Sequence, residues 1–194
     1  MIKKTFLLAL PFALAACGGG QDDAPEPEPI ETIDPAAMVE RDSKVQDIAD
    51  TLLVVDANGV GAAGAPVFRF GTERDEVDAG LAKAFGSDGE MSENAECGAG
   101  PMQFSTYGPL QVAYQQGKLV GWFLRAGDQV ATSDGVQPGT TPFAMLKEER
   151  QVREIDSTLP GEFQYTSADY GTIGGFSEDG VITSLNAGMS CFFR

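Results

Sequence analysis

The chain has 194 residues, with 13 lysines and arginines set against 29 aspartates and glutamates, and it contains no histidine. The missing histidine excludes Ser-His-Asp and Cys-His catalysis, imidazole metal sites and a histidine pH switch. The acidic excess repels nucleic acid and anionic lipid headgroups alike, so nucleic acid is not an expected partner.

Lys3 and Lys4 open the chain and an apolar run from Thr5 to Ala16 follows. A run of this length is too short to cross a ~30 Å hydrocarbon core as a helix. A basic start followed by a short apolar segment is instead an export signal. The segment ends in Leu14-Ala15-Ala16-Cys17, which resembles the lipobox of bacterial lipoproteins. The resemblance implies a diacylglyceryl group on the Cys17 thiol and cleavage between Ala16 and Cys17, leaving residues 1–16 as a signal peptide. Loss of Lys3 and Lys4 leaves 11 basic and 29 acidic residues, a formal charge of −18.

Each buried CH₂ of an acyl chain contributes about 0.8 kcal/mol, so two or three chains give stable attachment. No later stretch approaches 18 apolar residues, which makes the expected protein anchored and not spanning. Gly18 stands where, in the enteric pattern, an aspartate would retain the protein in the inner membrane. The expected location is therefore the periplasmic face of the outer membrane. Residues 17–34 read as a lipidated tether, with Gly-Gly-Gly at 18–20 and alternating Pro and Glu from Pro25 to Pro29. At ~3.1 Å per residue such a polyproline-like segment reaches at most about 50 Å.

Residues 35–194 read as one periplasmic domain. Asp34-Pro35 is a helix start, and Val45, Ile48, Ala49 and Leu52 recur at helical spacing, which predicts a helix over about 35–50. Leu52 to Asp56 is a short strand that ends before Asn58-Gly59. Thr72, with Asp75 three residues on, reads as a capping box for a second helix. That helix carries Val77, Leu81, Ala84 and Phe85 on one face and stops at Gly86. Strands are predicted at 101–107, 110–116 and 118–125, with Gln116-Gly117 as a tight turn, and again at 162–167, 171–177 and 181–187, with Asp179-Gly180 as the turn.

Two halves can be superposed in sequence. Phe70-Gly71-Thr72 matches Pro138-Gly139-Thr140, Gly117-Lys118-Leu119-Val120 matches Gly180-Val181-Ile182, and Ala126-Gly127 matches Ala187-Gly188. The expected fold is thus α+β: two tandem repeats, about 52–127 and 128–194, each a helix followed by antiparallel strands. The phrase Gly71-Thr72-Glu73-Arg74-Asp75-Glu76-Val77 resembles the helix opening of the small periplasmic repeat found in the beta-lactamase inhibitor protein and in the outer-membrane assembly lipoprotein BamE (SmpA/OmlA). Gly139-Thr140-Thr141-Pro142 departs from that phrase, lacking its acidic residue.

Cys97 and Cys191 remain after lipidation, and in an oxidising periplasm they are expected to pair. The bond would contribute about 4.5 kcal/mol in the chain-entropy model; two buried free thiols are the alternative, and a metal site is disfavoured without histidine or C-x-x-C. Other motifs carry less. Gly59-x-Gly61-x-x-Gly64 spells a dinucleotide fingerprint, but the residues after it read as a strand and offer no helix N-terminus for a pyrophosphate. Ser177 in Gly175-Phe176-Ser177 has no histidine to serve it. Asp88, Glu90, Glu93 and Glu96 do not follow EF-hand order, Glu148/Glu149 is an arbitrary acid pair, and Trp122 reads as core. No catalytic, cofactor-binding or metal residue is assigned.

The expected function is that of a non-catalytic protein- or envelope-interaction module, with an envelope protein as partner. The alternative is a carboxylate-dependent hydrolase of a cell-envelope glycan or peptidoglycan. A buried carboxylate with a raised pKa in a cleft would favour the enzyme, and an exposed apolar patch on the sheet would favour the binder. The anchor is checked directly at its one residue: Cys17→Ser should abolish lipidation and cleavage before residue 17, read by mass spectrometry of the mature N-terminus. An unmodified Cys17 in the wild type, or cleavage elsewhere, would refute it.

Overall fold

A computed structural model of the chain describes residues 50–191. The signal peptide, Cys17, the tether and nearly all of the helix expected over 35–50 lie outside the described residues. Fourteen elements follow: β1 (Leu53–Asp56), β2 (Gly59–Ala62), β3 (Phe68–Arg69), α1 (Arg74–Phe85), β4 (Glu90–Asn94), β5 (Met102–Tyr107), β6 (Leu110–Gln115), β7 (Lys118–Arg125), β8 (Val130–Thr132), α2 (Phe143–Glu149), β9 (Val152–Glu154), β10 (Glu162–Thr166), β11 (Thr172–Glu178) and β12 (Val181–Gly188). They form a four-stranded sheet in the order β3-β2-β1-β8 and an eight-stranded sheet in the order β4-β5-β6-β7-β12-β11-β10-β9.

This architecture corrects the expected α+β fold of two tandem helix-then-strand repeats. The described residues are mostly strand, with two short helices. The strands of the two expected units share both sheets: β1 pairs with β8 in parallel, and β7 pairs with β12. The physical reason is backbone pairing. Two separate half-sheets would each leave an unpaired edge, and joining β7 to β12 removes both edges at once. The matching glycine phrases have a local cause instead. Gln116-Gly117 and Asp179-Gly180 all have positive φ, as two-residue type I′ hairpin turns require. The Gly117 carbonyl then accepts the Arg74 N–H at 2.8 Å, and the Gly180 carbonyl accepts the Phe143 N–H at 2.9 Å. A hairpin turn thus satisfies an orphan donor at each helix start.

That arrangement also displaces the expected capping box. Thr72 Oγ1 donates to the Arg69 carbonyl at 2.7 Å, and the residue at the cap is Glu73, without a side-chain cap bond. The helix does stop at Gly86, whose φ of 86° is the left-handed conformation that glycine adopts cheaply.

One face of the eight-stranded sheet carries the core. Val77 and Leu81 of α1, Leu53, Val55 and Val60 of the small sheet, and Leu110, Val112, Trp122, Leu124 and Leu185 of the large sheet are all buried in one cluster. Trp122 is core, as its apolar run suggests, and its Nε1–H donates to the Asp56 carbonyl at 2.8 Å, tying the two sheets together. Phe143 of α2 packs on Phe163 of β10, ring centroids 4.8 Å apart, on the same side of the sheet.

Asp78 pins α1 to this face. Its Oδ1 accepts from Tyr114 Oη at 2.7 Å and Tyr107 Oη at 3.1 Å, and its Oδ2 accepts from Arg74 Nε and Ser105 Oγ, each at 3.0 Å. Burial alone would raise the carboxyl pKa, but the hydrogen bonds, led by that from Tyr114, outweigh it and hold the group below its ordinary value. Both phenols are pushed up, first by burial and then by the Asp78 carboxylate.

A folded-state pKa below the unfolded one adds stability that is present above the unfolded value, ~3.9, and is lost as pH falls through the folded one. Asp78→Asn should therefore cost about 3 kcal/mol near neutral pH. Denaturant titrations should show the gap between wild type and variant closing below about pH 4; a gap that is independent of pH would contradict the assignment.

Candidate functional site

The opposite face of the large sheet is covered by no helix or strand among the described residues. Strand alternation and register place one line of side chains across it. Glu90 of β4 stands opposite Thr106, Thr106 opposite Gln111, and Gln111 opposite Phe123. Phe123 is in turn opposite Asn186, Asn186 opposite Gly174, Gly174 opposite Gln164, and Gln164 opposite Arg153 of β9. The middle of this row, Gln111, Phe123 and Asn186, is half-buried. Phe123 is therefore an aromatic ring flanked on both neighbouring strands by carboxamides.

Two shorter rows border it. On one side lie Ser92, Phe104, Ala113 and Gly121; on the other lie Arg125, Ser184, Phe176 and Glu162. The first border runs under the loop closed by Cys97 and Cys191, which are joined by a disulfide with Cα atoms 4.9 Å apart. A second, smaller apolar cluster of Cys97, Met102, Phe104 and Ala113 sits there, with Val120 and Cys191 packed against it. Gly121 is required at this point: a Cβ on it would lie 2.2 Å from the Met189 carbonyl oxygen as the chain crosses toward Cys191. Between the disulfide and Phe123 opens a cleft of about 470 Å³, lined among others by Asn94, Phe104, Gln111, Phe123, Arg125 and Met189. Its volume falls in the range of small-ligand sites.

Charge distinguishes this face. β5, β6, β7 and β12, four adjacent strands of the sheet, contain no carboxylate, although the chain has 29, and β11 beyond them carries Glu178 only at its end. The only charged residues of those four are Lys118 and Arg125, at the two ends of β7. Lys118 pairs with Glu73. Arg125 has no carboxylate within salt-bridge distance among the described residues, and its guanidinium carbon lies 5.2 Å from the centroid of the Phe123 ring.

The motifs singled out in the sequence do not converge here or anywhere else. Gly59 and Gly61 lie in strand β2 and not in a loop, because β3 packs closely on them; a Cβ on Gly59 would lie 2.1 Å from the Phe68 carbonyl oxygen. No helix begins at Gly64, so the row of glycines has no phosphate cradle. Ser177 sits at a register shift in β11, with its Oγ 3.5 Å from the Gly161 carbonyl oxygen. Glu90 and Glu93 fall on opposite faces of edge strand β4, and Glu148 and Glu149 end α2. Among the described residues, no group of three or more His, Cys, Asp or Glu side chains is placed to hold a metal ion, and no helix is long and apolar enough to cross a membrane.

The carboxyl with a raised pKa is Asp56, shifted first by burial and further by the nearby Asp169. Its Oδ1 accepts the Asn58 N–H at 2.7 Å to close the β1–β2 turn, and it does not line the cleft beside Phe123. Its environment is that of a turn residue. Compared with known proteins, the chain matches no family model, no curated protein and no solved structure.

The disulfide holds one wall of the cleft, and its removal has a local signature. Cys97→Ala or Cys191→Ala should lower stability by about 2–5 kcal/mol and uncover Met102 and Phe104. An apolar dye should then bind the variants at temperatures where the wild type, still folded, excludes it. Peptide mapping that finds both thiols free in the native protein would overturn the pairing.

Proposed function

We propose that this chain is a bacterial lipoprotein, held through lipid on Cys17 at the periplasmic face of the outer membrane, and that its domain is a non-catalytic interaction module. The open face of the large sheet is its docking surface for another envelope protein. The observation that carries the reading is the carboxylate-free centre of that face, with Phe123 set between Gln111 and Asn186. A sheet face that only meets water in so acidic a chain would be expected to share its charge. Aromatic residues and arginine, with carboxylates depleted, are instead the composition of interface centres. An export signal, a lipobox and a tether of up to about 50 Å would deliver such a face to partners near the membrane.

The reading is tested in cells by a photo-crosslinking residue placed at Gln111 or Asn186, with Lys83 on α1 as the control position. Discrete adducts with an envelope protein are expected from the sheet positions, absent from position 83. Equal adducts from both surfaces, or none from the sheet, would overturn the docking face.

A further inference from the structure

Among the described residues, Arg74, Lys118, Lys147 and Arg150 each have a carboxylate within 4.0 Å, whereas Arg125, like Arg69, Lys83 and Arg153, has none. What sets Arg125 apart is its place: of these four it alone lines the cleft. It is exposed at the end of β7, on the open face, and its guanidinium carbon lies 5.2 Å from the centroid of the Phe123 ring at the mouth of the 470 Å³ cleft. A guanidinium attracted to a ring can still meet a carboxylate through two parallel hydrogen bonds. Glu93 also lines the cleft, but it pairs with Gln103, so alternation sends its side chain to the opposite face. Glu162 shares the row of Arg125 on β10, separated from it by Ser184 and Phe176.

The remaining lining divides in two. Phe123 supplies a half-buried aromatic surface beside the buried Phe104 and Ala113, and Ser92, Asn94 and Gln111 supply hydroxyl and carboxamide groups around it. From this complementarity we infer that the cleft binds a short peptide segment of the partner that carries a carboxylate beside an apolar side chain, with Arg125 holding the carboxylate and Phe123 receiving the side chain. The inference rests on the docking face proposed above and adds the chemistry of what docks. A basic segment is excluded by the same geometry, since it would bring its charge to the one central cation without a carboxylate. A neutral apolar segment would leave Arg125 desolvated and unpaired, a costly arrangement.

The test uses the mature chain carrying Cys17→Ser, unlipidated and in solution, and two probes: N-acetyl-Ala-Phe with a free carboxylate, and the same dipeptide as its C-terminal amide. Titrations are followed by NMR through the Arg125 Nε–H and the backbone amides of Phe104 and Phe123. They are run at 0.15 M salt, where charges beyond about 8 Å are screened. Wild type should bind the carboxylate probe saturably and about tenfold more tightly than the amide. Arg125→Gln should abolish that difference while leaving the affinity for the amide unchanged, and Arg125→Lys should restore part of it. Phe123→Ala should weaken both probes. Each variant must retain the wild-type melting temperature to within a few degrees; Arg125→Met, equally uncharged, serves in place of the glutamine variant if that one is unfolded. Equal binding of the two probes by wild type, a preference that survives in Arg125→Gln, or no saturable shift at these resonances would overturn the inference. If crosslinks at Gln111 and Asn186 persist while the carboxylate preference is absent, the docking face stands and the anionic ligand falls. If both are absent, both fall.

Discussion

Five residue pairs join β7 to β12, Gly121 to Arg125 against Ser184 to Gly188 in antiparallel register, and most of the molecule follows from them. They turn two groups of four strands into one sheet of eight, so that its core face is wide enough to need α1, α2 and the small sheet to cover it. The same pairing sets Asn186 beside Phe123 on the other face. It also aims the chain beyond Gly188 across Gly121 toward Cys97, where the disulfide closes the cleft. A shift of one residue would exchange the two faces of β12, placing Leu185 in water and Asn186 in the core.

The covered face is held by directional bonds as well as by apolar packing. Trp122 reaches the Asp56 carbonyl of the small sheet, and Asp78 of α1 collects two phenols, a hydroxyl and a guanidinium from its own helix and the large sheet. Buried polar groups that are fully satisfied in this way specify one arrangement of helix on sheet, because sliding α1 by a turn would strand several donors at once. On the other side, strands that cannot slip hold Phe123, Arg125 and the flanking carboxamides at fixed spacing, which would lower the ordering cost of the docking proposed for that face.

The distribution of charge differs between strands. Carboxylates fall on the helices, the loops and the outer strands β4, β9, β10 and β11, and those on the edge strands discourage edge-to-edge pairing between copies. The strands β5, β6, β7 and β12 are spared. In the docking proposed for the open face, this leaves a neutral-to-basic centre within an acidic surface.

Much of the local structure is written in the sequence. The type I′ turns at Gln116-Gly117 and Asp179-Gly180, the end of α1 at Gly86 and the alternation of the central strands depend on the conformational limits of a few neighbouring residues. The patterns behind the expected lipobox and tether are equally local, and the absence of histidine removes whole classes of chemistry without any fold. The helix-then-strand repeat was misleading because the same hairpin-to-helix hydrogen bond occurs twice, and a local device used twice looks like a duplicated unit in one dimension. What only the tertiary structure decided is pairing: that β1 joins β8, that β7 joins β12, and hence that Thr106, Gln111, Phe123, Asn186 and Gln164 form one row. Alternation tells which residues of a strand share a face, but not which strand lies beside it or in what register. Those depend on which long-range arrangement buries the apolar side chains and pairs the backbone of the whole domain at once.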